Sequence, residues 1–269
     1  MYPTVVLGTF GNTKYSDLLR VVEAALEFGI TSFDTAPSYG TEKMLGHVLC
    51  HSMKTHNLCR EKLFVIDKVD AWQMQETRGN VRGFVEDAIN MMGVLYLDVL
   101  FIHWPIEEYL KNTWESMNQL KAEGLVKDIG ICNVRKRHLI QWKEMGIYPQ
   151  NIQIERHPLR TCQDEMLYCR DNGIRVYSYS PLCRMHPKLK NSQVLLDLAR
   201  KYNKNVGQVI LRWHLDSGTT PVFMSTNPDR ISQNIDIFDF SLNRDEIKSI
   251  DQLNCNYKIY LESWGCPGF

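Results

Sequence analysis

The chain has no excess of either charge: Lys plus Arg and Asp plus Glu number 31 each in 269 residues. That balance excludes a chain built to hold nucleic acid or an anionic membrane surface, both of which need a basic face. No apolar run approaches the ~20 residues that a membrane helix requires. The first ten residues, MYPTVVLGTF, have neither a basic start nor a long apolar stretch, so no signal peptide is expected. The 8 cysteines form no CxxC pair and no HExxH occurs, so neither a disulfide framework nor a zinc site is expected. Scattered thiols at this length fit a reduced, cytoplasmic protein. The glycine-rich GxGxxG turn of a doubly wound dinucleotide fold is missing as well, since GTFG after the first apolar run does not match it.

What the chain does have is alternation. Eight short β-rich runs recur at 4–8, 30–34, 63–69, 97–103, 126–132, 151–156, 174–180 and 221–225. Helical patterns lie between them, among them 18–29, 85–93, 115–124 and 194–203. Gly29, Gly93, Gly124, Gly146, Gly173 and Gly218 stand where such helices would stop. Strand, helix and strand in repetition mean right-handed crossovers and a parallel sheet covered on both faces. Eight strands with no Pro-, Gly- or Ser-rich linker favour a closed α/β barrel, the (β/α)8 TIM barrel, over a doubly wound sheet. One domain over residues 1–269 is expected, since such barrels run to about 250 residues.

The active site of such a barrel lies at the C-terminal ends of its strands. Three runs close there on ionisable residues, Asp34, Lys68 and His103, and Tyr39 follows in the second loop. A strand has to end somewhere, and one polar edge residue can serve only its loop; four together are harder to dismiss. An inward Asp and Lys are costly to bury unless paired, so Asp34 and Lys68 are expected to neutralise each other. The ammonium near Tyr39 is expected to lower the phenol from ~10 and make it a general acid near neutrality. His103 is placed to orient a substrate oxygen. After the eighth run, Asn227 reads as N-cap and Pro228 as first residue of a helix whose free N–H groups, with Arg230, would suit a phosphate. His157 and His214 read as structural.

These segments resemble one family. FDTAPSYGTEKMLG (33–46), MGVLYLDVLFIHWP (92–105), GICNV (130–134), IQIERHP (152–158), YSPL (179–182) and STNPDRISQN (225–234) follow, in order, the signatures of the aldo-keto reductases. The resemblance implies carbonyl reduction with NADP(H), with Tyr39 as proton donor, Lys68 and Asp34 tuning it and His103 steering the carbonyl. It implies that Asn133 and Gln153 hold the nicotinamide carboxamide and that Tyr179 stacks on the ring. Ser225 and Arg230 would meet the adenosine phosphates and Asn234 the adenine. Gly8, Thr9, Ser180, Leu182, Thr226, Asn227 and Gln233 would border the same groove, and Phe10 and Trp104 the substrate mouth. No metal is needed.

The chain departs from the family pattern in several places. Cys132 replaces a serine, Phe223 a proline and Gln233 a glutamate. Met224 stands where a lysine meets the 2′-phosphate, which opens the way to NAD(H). The loop after the fourth strand is short, so an open pocket for a small-molecule carbonyl is expected, and the tail 263–269 is brief. The chain is expected to act as a monomer or weak oligomer. The competing reading is a non-catalytic nicotinamide-nucleotide-binding regulatory barrel. Against it, a barrel without chemistry has no physical reason to retain a costly buried ion pair.

Overall fold

A computed structural model describes residues 2–261; the tail 263–269 lies outside the described residues. Eight parallel strands close into a barrel in chain order, the eighth pairing with the first through Val6↔Val222 and Gly8↔Met224. They are β1 (Val6–Gly8), β2 (Ser32–Asp34), β3 (Phe64–Val69), β4 (Leu97–Ile102), β5 (Val126–Cys132), β6 (Asn151–Glu155), β7 (Arg175–Tyr179) and β8 (Thr220–Met224). Seven of the eight expected runs contain a strand, and the eighth overlaps one that begins a residue earlier, at Thr220. Several strands are shorter than their runs, because β propensity extends into loop residues that find no ladder partner.

Around the barrel lie α1 (Tyr15–Glu27), α2 (Glu42–Thr55), α3 (Ala71–Glu76), α4 (Arg82–Met92), α5 (Glu107–Ala122), α6 (Lys136–Glu144) and α7 (Gln163–Asp171). They are followed by α8 (Pro187–Lys190), α9 (Gln193–Tyr202), α10 (Val206–Asp216), α11 (Pro228–Ile235) and α12 (Arg244–Asp251). All six glycines expected to stop helices do follow one, at positive φ. Among the described residues no helix is long and apolar enough to cross a membrane.

The barrel interior is filled by Val6, Ile66, Val99, Phe101, Cys132, Tyr177 and Val222. A larger apolar shell between strands and helices takes the outward strand residues, with α1, α2, α4 and α5 packed on it. Gly130 shows how tightly the interior is filled. A Cβ there would lie 2.4 Å from the Phe101 ring and 2.5 Å from the Asn151 carbonyl, so only glycine lets Phe101 cross the barrel axis to meet Tyr177 edge-on at 5.6 Å. This apolar plug seals the middle of the barrel and leaves polar chemistry to its two ends.

Candidate active site

The C-terminal end of β2 and the body of β3 bring Asp34 and Lys68 together inside the mouth. Lys68 Nζ donates to Asp34 Oδ1 at 2.6 Å and to the Thr35 carbonyl at 2.8 Å. The second Asp34 oxygen accepts from Gln153 Nε2 at 2.8 Å, across the barrel from β6. Both charged side chains are almost wholly buried. Burial works against the Lys68 ammonium, but the Asp34 carboxylate more than offsets it and holds its pKa above the ordinary lysine value. Lys68 is therefore a permanent buried cation, and removing either partner would strand a charge at a cost of about 3–5 kcal/mol.

Tyr39 reaches this pair from a single 3-10 turn, Pro37–Tyr39. The turn ends on Gly40 at φ 65°, a left-handed conformation that turns the chain into α2 directly behind Tyr39. A buried chain of hydroxyls, Thr9 to Thr41 at 2.8 Å and Thr41 to Thr35 at 2.9 Å, ties the ends of β1 and β2 to the start of α2. Lys68 Nζ lies 4.9 Å from the centre of the Tyr39 ring, and the rings of Phe10 and His103 stand 5.2 and 5.7 Å away. The expected net fall in the Tyr39 pKa is not found. Burial raises it above the ordinary phenol value by more than the nearby ammonium lowers it. Tyr39 thus carries its proton throughout the neutral range, with a cation beside it ready to stabilise the phenolate.

His103 follows β4 directly, its N–H bonded to the Val69 carbonyl at 2.9 Å. The register Lys68↔Phe101 and Val69↔Ile102 continues to a pairing that sequence reading overlooked: Asp70 beside His103. His103 Nδ1 and Asp70 Oδ1 are 2.5 Å apart. The same carboxylate accepts from the Ser38 backbone N–H at 2.7 Å and its hydroxyl at 3.2 Å. Burial pushes the His103 pKa below the usual histidine value, against the upward pull of Asp70. Burial also opposes the charge on Asp70, yet its hydrogen bonds from His103 and Ser38 hold it below the usual carboxylate range. The signal was present in the sequence, because Asp70 is two residues past Lys68 and the two-residue strand period sets both on one face.

The residues expected to hold a cofactor stand at the strand ends from β5 round to β8 and β1. Asn133, at φ 58°, donates Nδ2 to the His103 carbonyl at 2.8 Å and accepts from Tyr179 Oη at 2.7 Å. Cys132 is buried and lies 3.9 Å from Gln153 Oε1, a weak contact that leaves this amide oxygen able to accept a stronger donor. Gly8 and Thr9 close β1, and Ser180 (φ 49°) and Leu182 follow β7. After β8, Asn227 Oδ1 caps the Asp229 N–H at 2.9 Å and Pro228 opens α11, as expected. Fewer N–H groups are free there than expected: Asn227 N–H bonds to Ser225 Oγ at 3.0 Å, Arg230 N–H to the Asn227 carbonyl at 3.2 Å, and proline has none. An anion would meet side chains instead, namely exposed Thr226 and Arg230, with Gln233 and Asn234 farther along α11. Two amides and a tyrosine at the ends of β5, β6 and β7, with a guanidinium on α11, form a set of side chains that suits a nicotinamide dinucleotide.

Phe10 and Trp104 flank the mouth, Phe10 exposed and Trp104 half-buried at 6.4 Å from the His103 ring. An open cleft of about 330 Å³ continues past Trp104 along Asn133, Glu155, Tyr179, Lys258 and Tyr260. The short loop expected after β4 is present, α5 beginning at Glu107. His157 bonds Glu155 at 3.1 Å, and Glu155 also accepts the Ile259 and Tyr260 N–H groups at 2.7 and 3.0 Å, so this pair anchors the chain's last described segment. His214 is buried in α10 against Arg156 and Thr219. Among the described residues no cluster of three His, Cys, Asp or Glu side chains could hold a metal ion.

The sequence profile of the Aldo/keto reductase family matches residues 4–255. The chain belongs to that family. It is 34% identical to the glyoxal reductase of Bacillus subtilis over 96% of this chain and 91% of the relative. It is 33% identical to the methylglyoxal reductase DkgA of Escherichia coli K12 over 94% and 90%. Among solved structures, the Bombyx mori aldo-keto reductase AKR2E4 in complex with NADP superposes with a TM-score of 0.89 at 31% identity, covering 98% of this chain and 93% of that one. An aldo-keto reductase from a Medee basin deep-sea metagenome library, MGS-M4, gives 0.88 at 30% identity, covering 97% and 94%. As an aldo-keto reductase the chain is an NAD(P)H-dependent oxidoreductase that reduces carbonyl compounds. The regulatory, non-catalytic reading finds no support among these relatives.

Proposed function

We propose that this aldo-keto reductase reduces a small aldehyde or ketone, an open-chain sugar included, with Tyr39 giving the proton. The observation that carries the reading is the buried Lys68–Asp34 pair, its ammonium 4.9 Å from the Tyr39 ring and the His103 ring 5.7 Å from the same ring. A bound nicotinamide supplies the hydride. Asn133 and Gln153 would hold its carboxamide and Tyr179 its ring. Ser225, Thr226, Asn227 and Arg230 would take the phosphates, Asn234 the adenine, with Gly8, Thr9, Ser180, Leu182 and Gln233 bordering the cofactor. Phe10 and Trp104 would frame the substrate.

The raised Tyr39 pKa suits a proton donor. The phenol keeps its proton until negative charge grows on the substrate oxygen, and Lys68 then stabilises the phenolate that forms. Asp34 keeps Lys68 in place and the site near neutral. Relatives named for glyoxal and methylglyoxal reduction make short dicarbonyls the first substrates to test.

Met224 argues for tolerance of NADH. A thioether offers a 2′-phosphate no donor, which leaves Arg230 as the cation there. One charge-assisted guanidinium contact supplies ~1.5–3 kcal/mol, so NADPH is accepted with only a modest preference. We further read the enzyme as one barrel domain over residues 1–269, a monomer or weak oligomer, working in the cytoplasm. The described cysteines, all free thiols, support the last point.

The test is oxidation of NADPH and NADH against aldehydes, ketones and sugars, with Tyr39→Phe as control. That variant should lose at least ~10²-fold in kcat while still binding cofactor. Near-native turnover in Tyr39→Phe would refute the mechanism. A native preference for NADPH above ~10³-fold, or ~4 kcal/mol, would refute the account of Met224.

A further inference from the structure

We infer that Asp70 is a positioning residue for this reaction, holding the Nδ1 proton of His103 so that Nε2 donates to a carbonyl oxygen only when the ring is charged. The inference rests on the proposed reaction and on three contacts of one buried carboxylate. These are His103 Nδ1 at 2.5 Å, the Ser38 N–H at 2.7 Å and the Ser38 hydroxyl at 3.2 Å. Asp70 itself is fixed in turn, its backbone N–H bonded to Gln73 Oε1 at 2.9 Å in the capping box of α3.

A carboxylate only accepts, so the ring nitrogen facing it carries a hydrogen in both charge states of the imidazole. The neutral ring then presents a bare lone pair at Nε2. A carbonyl oxygen is also an acceptor, and two acceptors do not bond. Two donors, Tyr39 Oη–H and His103 Nε2–H, can converge on the substrate oxygen only when His103 is protonated. An alcohol is different, because its hydroxyl can donate to the neutral ring. Asp70 therefore makes His103 a group whose charge favours reduction and whose neutrality favours the reverse reaction.

The titratable groups acting on His103 are Asp34 at the end of β2, Tyr39 in the turn that follows, and Lys68 and Asp70 on and after β3, with the Cys132 thiol on β5 near the same Lys68 and Asp34. Asp34 and Lys68 form a closed pair, and burial keeps Tyr39 and Cys132 protonated. Asp70 is thus the unpaired counter-charge for an imidazolium. Through Ser38 it also holds the residue next to Tyr39, so a single carboxylate aligns both oxygen-binding groups.

Histidine ¹⁵N NMR on the cofactor-free protein, with His103→Asn to assign the signal, reads the tautomer directly. The wild-type ring should carry its neutral-state proton on Nδ1. In Asp70→Asn the tautomers should mix, and the ionisation should move about one pH unit lower or more. In kinetics, wild-type kcat/KM for reduction should fall, and for alcohol oxidation rise, across the ionisation seen by NMR. Asp70→Asn should lose about tenfold or more in kcat for reduction at pH 7 with cofactor KM unchanged. A wild-type neutral ring protonated on Nε2 overturns the inference even if the variant does not fold. An active enzyme whose Asp70→Asn variant keeps the pH profile overturns the role of Asp70 alone. A wild-type protein that reduces no carbonyl overturns the functional reading, whatever the tautomer.

Discussion

The two ends of this barrel are both ionic, and they are wired differently. At the N-terminal end Asp128 accepts from Lys121 Nζ and Asn151 Nδ2 at 2.8 Å, from Tyr2 Oη at 2.5 Å and from its own next N–H at 3.0 Å. Beside it Arg60 bonds Asp98 at 2.7 Å, the Tyr96 carbonyl at 2.6 Å and the Leu63 carbonyl at 2.8 Å. Both carboxylates, Asp128 and Asp98, take their partners from groups of the fold, although Arg60 Nε and Asn151 Oδ1 in the same clusters have none. At the C-terminal end the carboxylates are equally well held, but Tyr39, beside the Lys68 that Asp34 holds, and His103, held by Asp70, keep hydrogen-bonding capacity for a visitor. A network that closes on the fold stabilises it, and one ending on groups with hydrogen-bonding capacity to spare can act on a ligand. Loop-borne chemistry at one end and structural polarity at the other is the division expected of this architecture.

Changes at the mouth should break function, with a loss of stability as well where a buried charge is stranded, whereas changes at the floor should cost stability alone. The largest effect is expected at Lys68. Lys68→Met removes the cation that stabilises the phenolate and should lower kcat by on the order of 10³-fold. Asp34→Asn should cost less, since the carboxylate acts on Tyr39 only through Lys68. The reverse order in steady-state assays would assign the proton to Asp34. At the floor, Asp128→Ala strands Lys121 and the Tyr2 hydroxyl and should cost about 3 kcal/mol, a fall of roughly 6–12 °C in Tm. Its kcat should match wild type; a dead but stable Asp128→Ala protein would erase the distinction between the ends.

The smallest effect sharpens the comparison on a single strand. Lys68 faces the barrel interior and meets Asp34, whereas Asp67 faces outward and meets a second carboxyl, Glu42. Burial and then Glu42 raise Asp67 well above the usual carboxylate range, and burial likewise raises Glu42. Asp67 Oδ1 has no hydrogen-bond partner. A carboxyl with a raised folded pKa contributes its stability below the unfolded value near ~4 and loses it as pH rises through the folded one. Asp67→Asn should therefore leave stability unchanged at acid pH and raise it by about 1 kcal/mol at pH 8. Chemical denaturation at pH 3 and pH 8 checks this, and an equal gain at both would show that packing, not titration, is responsible.

The parts of this site that could be read in advance are those carried by period and order. Strand–helix alternation, the ionisable residues closing the second, third and fourth runs, and the cap formed by Asn227 and Pro228 all depend on neighbours within a few residues. Local backbone geometry suffices to place them. Asp70 and the Asp67–Glu42 pair were not recognised, because each becomes informative only beside a partner from another strand or helix. Tyr39 is the clearest case of a right residue with a wrong property. Its proximity to Lys68 follows from the topology, but the sign of its pKa shift depends on how completely the barrel mouth excludes water.

Sequence alone thus determined which side chains this aldo-keto reductase carries and at which strand ends they stand. Tertiary structure decided what each one faces. Register set Asp70 against His103, and closure of β8 onto β1 completed the mouth. The physical reason is that charge states follow from dielectric surroundings and from partners distant in the chain, and neither exists until the barrel has closed.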